Sequence, residues 1–393
     1  MLETVWQDVR FGVRTLVRAP GFTMSAVAVL ALGIGANAAI FSAVNAYFFR
    51  PLPFAEADRL VTIYETNPEF GWTDVDAAPA NLLDWREQVA AFDDVSAYSE
   101  YSNRITTFRD GQPELVVATG VMGNFFQTLG VQPALGRTFE MDETWSGESN
   151  VVVIGHDLWV RAFGADPDAI GRRFEWGDDD PVIVGVMPEG FRFPSADTEL
   201  WHPTGWDREA REQTWFRRAH LIRAFARLAP GVDHEEADAQ LQVVVNRLQV
   251  EYPETNSVMG AGIAPMRDFL VRGVRTQLLV LIGAVALLLV LACANVANLM
   301  LVRANDRTRE VGLRRALGAP RWRVARQVFT ESALIAGLGA CFGLAIGWLG
   351  VRAITAADPV GIDGATSLVL DQRVVAFTLA IAALCALFFG TAP

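Results

Sequence analysis

The sequence predicts a polytopic α-helical membrane protein with four transmembrane helices and a large two-lobed α+β domain outside the membrane. The chain of 393 residues is 51% hydrophobic, and its apolar residues are concentrated in four long runs. A long acidic segment separates the first two runs. Arginines are concentrated before the first run and between the second and third runs. Apolar runs of this length, alternating with acidic and basic connections, are typical of multi-pass membrane proteins.

The four apolar runs set the expected boundaries. Residues 23–49 and 276–302 carry no charged residue, and 328–351 is interrupted only by Glu331. Each exceeds the roughly 20 residues that a membrane-spanning helix needs. The predicted segments are an amphipathic cytoplasmic surface helix (1–20), transmembrane helix 1 (21–49), an extracytoplasmic domain (50–275), transmembrane helix 2 (276–302), a cytoplasmic segment (303–327), transmembrane helix 3 (328–351), an outer loop (352–373) and transmembrane helix 4 (374–393).

The charge distribution predicts the orientation of these helices. Residues 50–275 have a charge balance of −17, whereas residues 303–327 have a balance of +6. Short arginine-rich segments stay in the cytoplasm, so the N-terminus and 303–327 are expected inside. The four crossings then alternate without contradiction. An acidic outer surface also argues against nucleic acid as a partner.

The N-terminal residues have two interpretations. Apolar side chains between Val5 and Val17 share one helical face, and three arginines spaced four apart share another, which indicates a helix on the inner membrane surface. Alternatively, the basic arm, the apolar residues 26–35 and the cleavage-like Ala36-Asn37-Ala38 fit a signal peptide. Apolar sequence continues beyond Ala38, which favours an uncleaved anchor.

The outer segment alternates between strand and helix patterns. Residues 60–64 are an expected strand, 79–90 a helix, 93–120 short strands with a turn at 109–111, and 123–129 a short helix. Val151–Ile154 and Val182–Val186 are β-rich runs, with turns expected at 177–178 and 188–190. Residues 220–268 predict strand, helix over 233–251, and strand, a βαβ-like unit. The return of this pattern after a β-rich middle predicts two lobes, one built from both ends of the segment.

Several kinds of chemistry are excluded by composition. All 33 basic residues are arginine, so a P-loop lysine for ATP and a Schiff-base lysine are both ruled out. The four histidines are not in metal-binding spacing, and Asp178-Asp179-Asp180 lacks the alternation of a calcium loop. All three cysteines lie in apolar runs, so the outer domain is expected to fold without disulfides. We therefore expect no catalytic residues, no metal site, no cofactor of its own and no enzymatic activity.

Polar and small residues in the apolar runs predict helix packing. Gly339, Gly343 and Gly347 are spaced by four, which lets another helix approach closely, whether or not that contact has a functional meaning. The asparagines at membrane depth can hydrogen-bond between helices or line a transport pathway, and we favour packing; they are Asn37, Asn45, Asn295 and Asn298. Glu331 can reach the aqueous boundary, pair with Arg326 or hydrogen-bond Gln327.

A basic segment with a sharp break lies between two membrane runs. Residues 307–327 are RTREVGLRRALGAPRWRVARQ, in which a helical pattern ends at Gly318-Ala319-Pro320 and a second helix begins. A straight basic helix would be enough to bind anionic lipid. The break therefore favours a protruding helix that docks a cytoplasmic partner, with lipid anchoring as the alternative.

Two stretches of the chain carry a family resemblance: residues 307–347 and the run DVRFGVRTLVRAPGFTMSAVAVLALGIGANAAIFSAVNAYFFRPLPF. They resemble the FtsX/MacB-type ABC transporter permeases, and specifically their acidobacterial-type duplicated branch. The outer stretches ATGVMGNFFQTLGVQPALGRTFE, VVVIGHDLWVRAFGADPDAIGRRF and VIVGVMPEGFRFP are similar to the extracytoplasmic core domain of that branch. The similarity covers essentially the whole chain, with the motifs in order.

The resemblance implies a permease subunit in a bacterial inner (plasma) membrane. Such a subunit couples ATP hydrolysis on a separate cytoplasmic ABC ATPase to movement of the outer domain and to export or extraction of a substrate. Carried over by position, the residues that meet the ATPase are Glu310, Gly312, Arg314, Arg315 and Gly318. Other implied partners are membrane lipid, a second permease half or a second copy in a homodimer, and an extracytoplasmic adaptor protein.

One departure and two alternatives accompany this interpretation. The duplicated branch has two tandem four-helix units, whereas this chain has one and lacks basic residues after its fourth run, so we expect it to be the N-terminal half of a longer permease. The alternative function is a regulatory scaffold that relays the ATPase state to a cell-envelope enzyme without transport. A membrane-tethered enzyme is a third, less favoured class.

Overall fold

The computed structural model describes residues 2–99, 103–109, 112–145, 150–176, 180–306, 321–357 and 371–391. These residues form two compact units. The outer unit is Pro51–Arg272, and the membrane unit contains the described residues up to Arg50 and from Gly273 onward.

In the outer unit, eleven strands of the described chain form one mixed sheet. The strands are β1 Leu60–Asn67, β2 Trp72–Val75, β3 Phe92–Ser99, β4 Asn103–Arg109, β5 Gln112–Val121, β6 Leu135–Gly136, β7 Val151–Ile154, β8 Val182–Val186, β9 Leu200–Pro203, β10 Ile222–Leu228 and β11 Gly260–Pro265. The helices of this unit are α3 Pro79–Gln88, α4 Phe125–Leu129, α5 His156–Phe163, α6 Thr214–Arg218, α7 His234–Glu251 and α8 Pro253–Asn256.

The order of the strands joins the two ends of the segment. It is β11-β1-β10-β3-β5-β9-β7-β8-β6, with β2 paired to β1 and β4 paired to β5. Neighbours are antiparallel except for the parallel pairs β5–β9 and β7–β8. Strands β10 and β11 both run antiparallel to β1, so they are parallel to each other with β1 between them. The βαβ-like unit predicted over 220–268 is therefore a split one, into which the first strand is inserted.

The two predicted lobes are the two ends of this continuous sheet. One end combines β1, β3, β10 and β11 with α3 and α7, and its core contains the fully buried Trp85 and Leu241. The other end comes from the middle of the segment, and Val152, Ile183 and Leu158 are buried there. A third core, rich in phenylalanine, takes residues from both ends, including Phe225 of β10.

The membrane unit is helical throughout its described residues. Its helices are α1 Leu2–Val17, α2 Pro20–Val44 with a π-helical turn Asn45–Phe49, α9 from Met266 to Asp306, α10 Arg321–Ala357 and α11 Gln372–Thr391. Four stretches are long and apolar enough to cross a membrane: Pro20–Phe49, Arg275–Arg303, Arg326–Ala353 and Gln372–Phe389. They coincide with the four runs predicted from the sequence.

The helices of the membrane unit differ in how much of their surface the chain itself covers. In α2, 67% of the apolar stretch that could cross a membrane is buried by the rest of the chain, whereas in α9 only 11% of the corresponding stretch is buried. Helix α2 packs against α10 and α11, and Phe41 of α2 stacks on Phe377 of α11 at 3.9 Å between ring centroids. Helix α2 is thus central in this unit, and α9 is peripheral.

Helix α9 is longer than the sequence indicated. The apolar run begins at residue 276, but the helix begins at Met266 and contains 41 residues. Arg267, Asp268, Arg272 and Arg275 end the apolar run without ending the helix, because charged residues are compatible with helical backbone outside a hydrocarbon environment. The first turns of α9 consequently belong to the outer unit.

Candidate transmission site

The residues predicted to meet an ATPase, Glu310, Gly312, Arg314, Arg315 and Gly318, lie outside the described residues. The structure does describe the helices on both sides of them. Helix α9 ends at Asp306, and α10 begins at Arg321. The described residues that border 307–320 are therefore the last turn of α9 and the first turns of α10, with the side chains that contact them.

Helix α1 contacts both of these flanking helices. Arg303 of α9 donates an Nη2–H hydrogen bond to the carbonyl oxygen of Thr15 at 2.8 Å, and its guanidinium lies 4.5 Å from the Phe22 ring centroid. On the other side, Arg326 of α10 forms an ion pair with Asp8, with 2.5 Å between Nε and Oδ2. We call these residues, Asp8, Thr15, Arg303 and Arg326, the inner brace.

The packing face of α1 explains why it can hold both helices. Gly12 and Thr15 are buried, and a Cβ at Gly12 would lie 2.8 Å from Leu334 Cδ1 of α10. Small and polar residues thus face the protein, whereas most of the predicted apolar face is exposed, including Trp6 (68%) and Val17 (71%). Leu16 is the exception, because it is buried in the membrane unit's core.

Glu331 is buried about three turns into α10, where a charge requires a partner. Its exposed fraction is 7%. Gln327, one turn earlier, donates to Glu331 Oε1 at 3.5 Å, which is one of the three arrangements considered from the sequence. The same turn of α10 therefore carries polar side chains directly beside the inner brace.

The three glycines predicted to let a helix approach lie in α10 and face α2. A Cβ at Gly339 would be 2.9 Å from Leu30 Cβ, and one at Gly347 would be 3.1 Å from Ala38 Cβ. A Cβ at Gly343 would be 3.0 Å from Ile34 Cγ2. Real Cβ contacts are rarely this short, so these positions let the two helices approach through their backbones. The helix that approaches the glycines is α2 of the same chain.

The four asparagines separate into two pairs. Asn37 donates to the carbonyl oxygen of Val285 in α9 at 2.8 Å, and Asn45 donates to Asp371 Oδ2 before α11 at 2.7 Å. Both therefore join helices of this chain. Asn295 and Asn298 are instead exposed on α9, where their amides face away from the rest of the described chain.

At its outer end, α9 is attached to the sheet by charged and aromatic side chains. Arg272 forms an ion pair with Asp74 of β2, and its guanidinium lies 5.3 Å from the Phe269 ring centroid. The guanidinium of Arg223 in β10 lies 5.0 Å from the centroid of the same Phe269 ring, and Arg223 forms an ion pair with Asp76 at 2.8 Å. Little in the sequence predicts this attachment, apart from the spacing of Phe269 and Arg272, which are three residues apart and thus on one helical face.

The described residues contain no group of three or more His, Cys, Asp or Glu side chains arranged to hold a metal ion. The histidines lie in different environments. Burial lowers the pKa of His202, although its backbone hydrogen bond to Pro203 opposes this. Burial also lowers the pKa of His220, but the hydrogen bond and charge of Glu65 outweigh it and raise the pKa overall.

Two protein-family models match this chain. The model of the MacB-like periplasmic core domain matches residues 23–244, more than half of the chain, and the model of the FtsX-like permease C-terminal region matches residues 282–393.

The curated relatives are export proteins that are longer than this chain. The probable export ATP-binding/permease protein MacB of Pseudomonas entomophila is 25% identical over 235 residues, which is 59% of this chain and 34% of the relative. The macrolide export ATP-binding/permease protein MacB of Chromobacterium violaceum is 25% identical over 275 residues, 70% of this chain and 40% of the relative. The chain thus spans about a third to two fifths of the length of these relatives.

Solved structures resemble part of the chain. A domain of a putative permease protein from Porphyromonas gingivalis has a TM-score of 0.41 and 19% identity, covering 54% of this chain and 91% of that domain. The periplasmic region of MacB from Actinobacillus actinomycetemcomitans has a TM-score of 0.39 and 12% identity, covering 56% of this chain and 94% of that region.

Proposed function

Because the chain belongs to the family of ABC transporter permeases with a MacB-like periplasmic core domain and an FtsX-like permease region, we propose that it couples ATP hydrolysis on a separate cytoplasmic ATPase to movement of its outer domain. The movement drives export or extraction of a substrate. The observation that carries this proposal is the continuity of α9, which begins at Met266 beside the sheet and ends at Asp306 beside the coupling segment.

A continuous helix is suited to transmitting motion. Forty-one residues extend about 60 Å at 1.5 Å per residue, and backbone hydrogen bonds stiffen the helix along its whole length. A displacement of the segment 307–320 therefore reaches the first turns of α9 without an intervening hinge loop. At those turns, the ion pair of Arg272 with Asp74 attaches the helix to the sheet.

The inner brace supports the same proposal at the other end. Through α1, Arg303 and Arg326 hold the helices on both sides of the coupling segment. A force applied to Glu310, Gly312, Arg314, Arg315 or Gly318 would thus move α9 and α10 together. We propose that these five residues are the contact with the ATPase.

ATP is bound and hydrolysed by that partner in our proposal. A chain without lysine has no P-loop lysine to hold the β- and γ-phosphates. The permease then needs no cofactor or metal of its own and acts as a non-enzymatic subunit. The arginine-rich residues 303–327 favour the cytoplasmic side of the bacterial inner membrane for the ATPase and the N-terminus.

A second permease unit is the further partner that we propose, either a second copy or a separate permease half. Most of the apolar stretch of α9 is not covered by the rest of the described chain. Its exposed surface includes Asn295 and Asn298. Amide side chains are unfavourable against lipid tails and stabilise helix pairs by hydrogen bonding. Lipid would cover the remaining apolar surface, and an extracytoplasmic adaptor would contact the outer unit.

The proposal is tested by purifying the chain from membranes with its ATPase and measuring ATP-driven substrate movement in vesicles. The double variant Arg314→Glu and Arg315→Glu should insert normally and lose the ATPase. The matched control makes the same charge change at two exposed outer arginines, Arg104→Glu and Arg247→Glu, and should retain it.

Three results would contradict parts of the proposal. Retention of the ATPase by the coupling variant would exclude Arg314 and Arg315 as contacts. Failure of the wild-type chain to recruit any ATPase would favour lipid anchoring for the basic segment. ATP-dependent activation of a cell-wall hydrolase without substrate movement would favour a regulatory scaffold instead of a transporter.

A further inference from the structure

Two of the three cysteines lie against each other in the membrane unit. The Sγ atoms of Cys293 in α9 and Cys385 in α11 are 3.4 Å apart. Cys385 is buried and Cys293 is half-buried, whereas Cys341 of α10 is exposed elsewhere. We propose that Cys293 and Cys385 form an oxidisable dithiol whose disulfide ties α9 to α11.

The distance between the sulfur atoms makes such a bond accessible. A disulfide has an S–S length of about 2.05 Å, so the two atoms need to approach by roughly 1.4 Å. Side-chain rotation and small helix shifts supply a movement of this size. The surrounding core residues are apolar, and they include Val296, Ile381 and Phe389.

The disulfide would attach α9, the membrane helix that the rest of the described chain covers least, to α11. Helix α9 is attached to its neighbours in the membrane unit by noncovalent contacts such as the Asn37–Val285 hydrogen bond and the Arg303–Thr15 hydrogen bond. Contacts of this kind can break and re-form as the helix moves. A disulfide at Cys293 cannot, so it would hold α9 against α11 in one arrangement.

The consequence for activity rests on the proposed function, in which α9 transmits motion to the outer domain. A disulfide between α9 and α11 would arrest that motion and uncouple ATP hydrolysis from it. Reduction of the disulfide would restore the motion. The pair would then act as a reversible redox lock in the membrane.

The oxidation is balanced with dioxygen as the oxidant. Each thiol loses one hydrogen atom, one S–S bond forms, and half a molecule of dioxygen takes up the two hydrogen atoms to give water. Dioxygen is apolar and dissolves in the bilayer, and the half-buried side chain of Cys293 allows access. A thiol reductant reverses the reaction by thiol–disulfide exchange.

The test uses the full chain in vesicles with its ATPase, and copper(II)-phenanthroline as the catalyst of oxidation by dioxygen. Free thiols are counted with a maleimide after denaturation. The wild type has three cysteines and should show three free thiols before oxidation and one after it. Cys341→Ser, the matched control, should fall from two to none, whereas Cys293→Ser and Cys385→Ser should each keep two.

ATP-driven activity is measured on the same samples. Oxidation should reduce activity of the wild type and of Cys341→Ser to the level of the ATPase alone, and dithiothreitol should restore it. Cys293→Ser and Cys385→Ser should be insensitive to oxidation, and testing both guards against one variant that folds poorly.

The possible failures are distinguishable. An unchanged thiol count in the wild type, or a disulfide between two copies of the chain on a non-reducing gel, would overturn the dithiol pair. Full activity in the oxidised, internally cross-linked chain would overturn its role as a lock. A falling thiol count in a complex that shows no ATP-driven activity even when reduced would sustain the pair and contradict the proposed function.

Discussion

At the residue scale, the close packing of the membrane helices depends on single positions that lack a methyl group. Gly339 and Gly337 lie two positions apart on α10, so their Cβ positions face different sides of the helix. A Cβ at Gly339 would be 2.9 Å from Leu30 Cβ, whereas one at Gly337 would have nothing within 4 Å. The two glycines therefore offer a matched comparison of packing with helix propensity.

We expect Gly339→Ala to destabilise the membrane unit by about 1–3 kcal/mol, the usual range for overpacking. Gly337→Ala should be neutral or stabilising, because alanine favours a helix over glycine by up to about 1 kcal/mol. Thermal unfolding of the purified chain in detergent measures both. Equal effects of the two substitutions would show that the close approach of α10 to α2 is unimportant for stability.

A buried ion pair in the outer unit predicts a pH dependence. His220 Nδ1 lies 2.6 Å from Glu65 Oε2, and Glu65 is only 1% exposed. The pKa of His220 is raised in the folded protein, so its contribution to stability is complete below the unfolded pKa of about 6.5. That contribution is lost as the pH rises through the folded pKa, where the buried Glu65 carboxylate loses its charged partner.

We therefore expect the melting temperature of the outer unit to fall as the pH rises from 6 to 8.5, followed by tryptophan fluorescence of the whole chain. His220→Gln should be less stable at pH 6 and should have a flatter profile, since glutamine does not titrate. His234→Gln, at the start of α7, is the control and should keep the wild-type profile. A slope that persists in His220→Gln would assign the pH dependence to another group.

At the scale of elements, the inner brace gives α1 a role that its amphipathic pattern does not suggest. Most of its described apolar side chains, such as Trp6, remain exposed, and its polar and small residues contact α9 and α10. One face of α1 therefore contacts the helices on both sides of 307–320, and its exposed apolar face is left for the membrane surface that the sequence predicts.

We expect Asp8→Asn to weaken coupling while changing stability little. The pair of Asp8 and Arg326 is partly exposed, and such ion pairs contribute about 0.5–1 kcal/mol, which corresponds to a loss of about two- to fivefold in ATP-driven activity. Arg10→Gln, an exposed position on the same helix, is the control. Exchanging the charges in Asp8→Arg with Arg326→Asp should restore coupling, and failure to do so would assign the effect to something other than the ion pair.

The elements could be predicted from the sequence where one local pattern determines them. Val151–Ile154 and Val182–Val186 are strands at the predicted residues because β-branched side chains follow one another there. The four membrane helices were predicted because apolar runs of their length have few alternatives in a folded chain. The start of α9 was missed because hydropathy marks the edge of the membrane and gives no information about the end of a helix.

Long-range arrangement was predicted much less well. The buried pair of Glu65 and His220 joins residues far apart in the sequence, so nothing near either one indicates the other. The same is true of Cys293 and Cys385, which were recognised only as two cysteines in apolar runs. The five coupling residues were assigned by resemblance and remain predictions, since they lie outside the described residues.

At the scale of the whole molecule, the charge distribution specifies a topology that can be measured directly. In a chain with all three cysteines replaced by serine, Arg104→Cys should react with a membrane-impermeant maleimide in intact spheroplasts. Arg315→Cys should react only after the membrane is permeabilised, because a short arginine-rich segment is expected to stay in the cytoplasm. The cysteine-free chain is the control for labelling, and the reverse pattern would contradict the proposed orientation.

The insertion of β1 between β10 and β11 also determines when the outer unit can fold during synthesis. Strand β1 leaves the ribosome early, but two of its three partners, β10 and β11, begin only at Ile222 and Gly260. Until those residues have been synthesised, β2 is the partner that can pair with β1, so most of the backbone edges of β1 are unpaired and its apolar face is uncovered, a condition that favours aggregation. Since α9 follows β11 at once, the sheet becomes complete just as the next membrane helix enters the translocon. Biogenesis of this permease thus requires the outer segment to be kept from misfolding for most of its own synthesis.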